Sequence, residues 1–150
     1  MQRQVIHALV VAGKKAGLTD HDIASVLAIV RYESGFNPDA ANRSGSAAGL
    51  GGFTKDSRTH YHLKTVFDIT ANAEAVVRCY MKSKSLAIKY RPGASQQELD
   101  RWTYGFYHDG PGGYDSGGNE IFSRSNGVEQ WIGPCGSMTE DRPGEARKRL

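Results

Sequence analysis

Glu33 is the residue of this chain best placed for acid–base chemistry. It follows Val26 and Val30 at helical spacing, so it continues an apolar stripe instead of facing water. A carboxyl there is partly desolvated and meets the negative end of the helix dipole. Both effects disfavour the charged form and raise the pKa, as a general acid working near neutrality requires. Position alone leaves a second reading open, a surface ion pair with Arg31 or Arg43. After Glu33 the chain turns into a run of Gly, Asn, Ser and Ala up to Thr54, side chains too small to pack tightly and suited to lining a cleft. Other chemistry-bearing residues make weaker patterns. His60 and His62 form a His-x-His pair without a third ligand at telling spacing, so solvent-facing or packing roles are preferred and no metal or cofactor is expected. Cys79 and Cys135 are too far apart for a metal knuckle; thiols are the preferred state, a single long-range disulfide the other.

The elements that must position Glu33 are helical. Val5, Ile6, Leu9, Val10 and Ala16 trace a stripe over residues 2–16, and Gly17 stands at a helix stop. A second helix starts at once: Thr19 is its N-cap, Asp20 and Asp22 suit the positive end of the dipole, and Ile23, Val26, Leu27 and Val30 form its apolar face. Gly35 and Pro38 end it. Asp68 caps a long helix whose apolar face runs through Ile69, Ala73, Val76, Val77, Tyr80, Ala87 and Ile88 to Tyr90, ahead of Pro92 and Gly93, with Cys79 beside that face. Ser95 to Glu98 is a capping box, so another helix begins there and carries Leu99, Trp102, Tyr104, Phe106 and Tyr107, primarily core material, toward a glycine-rich loop at 105–118. Ile121, Phe122, Val128, Trp131 and Ile132 suit one more short helix, and the tail 138–150 reads as frayed, with a basic contact to an acidic polymer as the alternative.

At 150 residues the chain is read as one domain, 1–150, able to bury its own core. With 39% hydrophobic and 23% charged residues it is neither disordered nor fibrous, and the 18 glycines, clustered at 45–52 and 105–118 without a period, mark loops. A net charge of +3 and a pI near 8.9 favour an anionic polymer. The cations are scattered without regularly spaced stacking aromatics, which argues against nucleic acid. No segment is long and apolar enough to span a bilayer, and the N-terminal run after Arg3 contains His7, leads into Lys14 and Lys15 and lacks a cleavage site, so it reads as a helix and not an export signal.

Two segments carry a resemblance. Glu33-Ser34-Gly35-Phe36-Asn37-Pro38, then Ser46-Ala47-Ala48-Gly49-Leu50 and Phe53-Thr54, resembles the catalytic signature of the lytic transglycosylases, relatives of goose-type lysozymes. Tyr104 to Gly112 resembles that family's second motif, Ala-Tyr-Asn-Ala-Gly-Pro-Gly. The likeness covers roughly residues 20–115 with both motifs in family order. It implies a lysozyme-like, mainly helical single domain, all-α to α+β, with at most a small β-hairpin around 49–54. The cleft would lie between the 36–54 and 105–118 loops. By the resemblance Glu33 is the catalytic acid, and Ser34, Ser46, Gly49, Leu50, Tyr107 and His108 fall at substrate-binding positions, Tyr107 near the acid. Two positions depart: Gly52 stands where the family carries a sugar-facing Gln, and His108 and Asp109 where Asn and Ala are usual.

The activity implied is cleavage of the β-1,4 bond between N-acetylmuramic acid and N-acetylglucosamine in peptidoglycan, by a monomer, with Glu33 as the single acid and base and a 1,6-anhydro product. Ordinary hydrolysis would need a second carboxylate, for which Asp39, Asp56 and Asp109 are the candidates. A module that binds peptidoglycan without turnover is the other alternative, supported by Gly52 and His108. A small basic wall enzyme lacking an export signal is similar to phage endolysins, held in the host cytoplasm until they reach the wall; a virion-associated or secretion-linked enzyme has the same features.

Overall fold

The computed structural model describes residues 1–41, 47–65 and 67–109. Among these described residues five helices follow in order: α1 (Gln2–Lys15), α2 (Asp20–Ser34), α3 (Lys55–His60), α4 (Ile69–Tyr90) and α5 (Gln96–Asp109). The protein is mainly helical, and the described residues hold no sheet, only the isolated antiparallel bridges Ala41–Ala48 and Ala48–Phe53. The chain divides into two compact units, Met1–Cys79 and Tyr80–Leu150, with the boundary inside α4. The expected helix at 121–132 and the 138–150 tail lie outside the described residues. None of the described helices is long and apolar enough to cross a membrane.

In the first unit, α1 and α2 pack against each other and are joined by Ala16 to Thr19. Gly17 (φ +76°) lets the chain leave α1: its N–H donates to the Lys14 carbonyl, and the Leu18 N–H donates back to Gly13. The Thr19 hydroxyl accepts from the Asp22 N–H at 3.1 Å and donates to the Asp22 carboxylate at 2.9 Å, as its position in the sequence predicts. Val5 and Leu9 of α1 and Val26, Ile29 and Val30 of α2 are buried. The helices meet where α1 has no side chain, since a methyl on Gly13 would lie 2.9 Å from Ile23 Cγ1. Lys15 Nζ reaches Glu74 on α4 at 3.1 Å, an exposed ion pair that contributes little.

α4 starts as expected: the Asp68 carboxylate accepts from the Ala71 N–H at 2.7 Å. Ala73, Val76, Val77, Tyr80 and Ala87 are buried along it, whereas Ile88 and Tyr90, which the periodicity assigns to the same face, are exposed in the last turn. In the second unit α4 is followed by a turn through Gly93 (φ +80°) and by α5. Trp102, Tyr104 and Phe106 are core residues of this unit; Phe106 stacks on Tyr90 at 5.9 Å and the Arg91 guanidinium lies 4.6 Å from the Trp102 ring.

The capping box of α5 is formed in full. Glu98 Oε2 accepts from the Ser95 N–H and the Ser95 hydroxyl, both at 2.8 Å, and Ser95 Oγ accepts from the Glu98 N–H. The backbone hydrogen bond first, then the side-chain one, hold the Glu98 carboxyl below its ordinary value. A depressed folded-state pKa stabilises above the unfolded value and loses that contribution as pH falls through the folded one. Between about pH 5 and pH 3 the wild type should therefore lose more α5 stability than Glu98→Gln does. Urea denaturation followed by circular dichroism at both pH values checks this; equal losses would show the box to be electrostatically idle.

Candidate active site

α2 brings Glu33 to its last turn, half-buried, directly after the fully buried Val30. The helix ends because Gly35 adopts a left-handed conformation (φ 61°, ψ 30°) and its N–H returns to the Arg31 carbonyl. Phe36 is left-handed as well (φ 61°), which costs an L-residue about 1–2 kcal/mol. Asn37 then takes up the chain: its side-chain carbonyl accepts from the Asp39 N–H at 3.0 Å, and its main-chain carbonyl from the Ala40 N–H at 3.2 Å. Two consecutive positive-φ residues and this turn take the chain out of α2 two residues after Glu33.

The second side of the site is the turn from Ala48 to Phe53. Ala48 and Phe53 exchange both backbone hydrogen bonds at 3.0 Å, Gly52 donates to Gly49, and the Gly49 N–H donates to Ala40 at 2.8 Å. The small hairpin expected around 49–54 is thus a single bridge closed by Gly49 (φ +76°) and Gly52 (φ +61°). This turn lies against the acid. A methyl on Gly52 would stand 2.9 Å from Glu33 Oε2 and 3.7 Å from its Cβ and Cδ. The backbone at 52 comes this near because nothing projects from it. A residue with a side chain at 52 would displace the carboxylate or the turn.

Phe53 and Leu50 root the turn, being 3% and 0% exposed. Phe53 lies 5.6 Å from the ring of Tyr61, just beyond α3. Tyr61 is held in turn by α4: Arg78 Nη2 donates to its carbonyl at 3.2 Å, the guanidinium lies 6.0 Å from its ring, and the half-buried thiol of Cys79 hydrogen-bonds its side chain. Burial, followed by the Cys79 contacts, pushes the Tyr61 phenol far above its ordinary value against the opposing pull of Arg78, so it is neutral at any physiological pH.

The residues predicted to hold substrate occupy diverse positions. The Ser34 hydroxyl donates to the Val30 carbonyl at 3.1 Å, an internal helix bond that leaves its lone pairs for another donor. Ser46 lies outside the described residues. Gly49 is buried and supplies the turn, and the Leu50 side chain is enclosed in the core. Tyr107 is half-buried and His108 exposed on α5 in the second unit, the His108 ring 6.0 Å from that of Tyr104. The loop expected from residue 105 begins later, because α5 continues through Gly105 to Asp109; residues 110–118 are outside the described set, and with them most of the second wall expected for the cleft. Sequence reasoning also missed α3, although Thr54 caps it through the Ser57 N–H at 3.3 Å, an i, i+3 pattern legible in the chain. Among the described residues no three His, Cys, Asp or Glu side chains gather as a metal site, and His60 packs edge-on to Tyr61 at 4.9 Å.

A helical protein with a half-buried carboxylate at a helix end, set against a glycine turn, has the organisation of a lysozyme-like fold. The chain belongs to the phage tail lysozyme family, whose model matches residues 5–105. That span contains most of α1, all of α2 to α4, Glu33, the 48–53 turn and most of α5. No curated protein and no solved structure gives a significant match. Membership makes this a lysozyme-like protein whose activity is peptidoglycan cleavage and whose place of action is the cell wall.

Proposed function

We propose that the protein cleaves the β-1,4 bond between N-acetylmuramic acid and N-acetylglucosamine with Glu33 as its single acid and base. The observation that carries this reading is the seating of the half-buried Glu33 carboxylate against the backbone of Gly52, at the end of α2. The protonated carboxyl donates to the glycosidic oxygen as the C1–O bond breaks, and the muramyl N-acetyl oxygen carries the positive charge left on C1. Glu33, now a carboxylate, takes the proton from the muramyl 6-hydroxyl; O6 bonds to C1, and a 1,6-anhydro ring closes. The carboxyl ends protonated, as it began. The likeness of residues 33–54 to the lytic transglycosylase signature favours this route over one using a second carboxylate.

Hydrolysis of the same bond is the second reading, favoured by the lysozyme family itself. Mass spectrometry of digested peptidoglycan separates them. Anhydromuramic ends are expected; reducing muramic ends alone, 18O-labelled when cleavage runs in labelled water, would assign a water nucleophile. The family's description as tail enzymes favours a virion-borne enzyme over a free endolysin, and immunoblotting of purified particles distinguishes the two.

A further inference from the structure

A groove of about 650 Å³ opens on the first unit along α3 and the segment after it, and the activity described so far makes no use of it. Lys55, Arg58, His62 and Lys64 line it beside the apolar surfaces of Leu63 and Phe67, and among the described residues no carboxylate contributes to the lining. Phe67 is 52% exposed. Among the described residues no acidic side chain pairs with Arg58 or Lys64. Two neighbouring cations such as Arg58 and Lys64, without an acidic partner among the described residues, attract an anion.

The groove is also built in advance. α3 closes with the Leu63 N–H on the Arg58 carbonyl at 2.9 Å and the His62 N–H on Thr59 at 3.2 Å, which places His62 in the left-handed region (φ +55°). Behind it, Arg78 fixes the Tyr61 carbonyl. Beyond it, Thr65 Oγ1 accepts from the Phe67 N–H at 3.3 Å, turning the chain so that Phe67 lines the groove. Arg58 and Lys64 are therefore presented from a fixed backbone, which lowers the entropy lost on binding.

Its place relative to the acid narrows the ligand. Lys55 follows Gly52 by three residues, so their Cα atoms are at most about 11 Å apart, and Gly52 abuts the Glu33 carboxylate. In peptidoglycan the group hanging from the muramyl ring at that distance is the stem peptide, joined through its lactyl ether. Its chemistry is free carboxylates alternating with alanine methyls, which matches cations alternating with Leu63 and Phe67. We propose that this groove binds the acidic stem peptide of peptidoglycan and so selects peptide-substituted muramyl residues. The assignment rests on the proposed cleavage at Glu33 for its substrate, but its test needs no turnover.

A synthetic stem tetrapeptide with free carboxylates, carrying no sugar, is titrated into the full chain by calorimetry. Saturable binding is expected, weakened about tenfold or more both by amidating the peptide carboxylates and by the Arg58→Ala/Lys64→Ala double substitution, one ionic hydrogen bond being enough for that factor. Circular dichroism of the double variant establishes that it is folded. Absence of binding, equal binding of the amidated peptide, or unchanged binding by the double variant would each overturn the assignment. Tighter binding of polyglycerol phosphate than of the stem peptide would overturn it too, giving the groove to a phosphodiester polymer. Any of these results leaves cleavage by Glu33 standing, and loss of the cleavage reading with stem binding intact would fail in the opposite way.

Discussion

Glu33→Gln should abolish lysis of purified peptidoglycan while leaving the protein folded. The amide keeps the shape of the carboxyl but has no proton to give at neutral pH, and a general acid of this kind is worth about 10²- to 10⁴-fold in rate. A single-carboxylate mechanism loses its acid and its base together, so the fall belongs at the upper end of that range. Glu33 is half-buried and ends its helix, so stability should change by no more than about 1 kcal/mol. Turbidity loss of a cell-wall suspension gives the rate and thermal denaturation gives the stability. A variant within about threefold of wild-type activity would remove Glu33 from the chemistry, and a wild type that binds the wall without lysing it would make the protein a binding module.

The second large effect is at Gly52, where installing the glutamine of the lytic transglycosylase pattern should damage the enzyme. Any side chain at 52 carries a Cβ that would stand 2.9 Å from Glu33 Oε2. It must also adopt φ +61°, at about 1–2 kcal/mol for an L-residue. Displacing a reacting group by about 1 Å costs on the order of 10²-fold. Gly52→Ala and Gly52→Gln should both lose about ten- to a hundredfold in lysis, the second gaining nothing from its amide. Gly17→Ala separates strain from displacement, since Gly17 has φ +76° with nothing within 4 Å of an added Cβ. It should lower the melting temperature by a similar amount and leave lysis intact. If Gly52→Gln equals or exceeds the wild type, the glycine is a missing sugar contact and not a requirement of the acid's position.

Gly52 therefore changes meaning between sequence and structure. In the sequence it is a departure from a pattern and the principal argument for lost activity. Beside Glu33 it is the residue whose small size lets a turn close on the acid. Leu50 changes in the same direction: its place in a substrate-lining motif suggests a sugar contact, but its side chain is fully enclosed. Of the candidate site, then, the helix end that carries Glu33 and the glycine turn were legible, and the close approach of Gly52 to Glu33 was not.

What the amino-acid sequence by itself determined about this protein is what local hydrogen bonding writes into it. The Thr19, Asp68 and Ser95 caps, and the stop at Gly35, are decided within four residues and were readable without coordinates. So was the stripe that carries Val26, Val30 and Glu33 along one face of α2. The tertiary structure alone decided which distant residues meet: Gly13 with Ile23, Gly52 with Glu33, and Phe53 with Tyr61, itself held by Arg78 and Cys79. These contacts depend on how helices and turns pack after they form, and no periodicity along the chain encodes a close approach between two segments. Glycine makes the point sharply, because its contribution at 13 and 52 is the absence of an atom, and only the neighbour that would collide with that atom gives the absence a function.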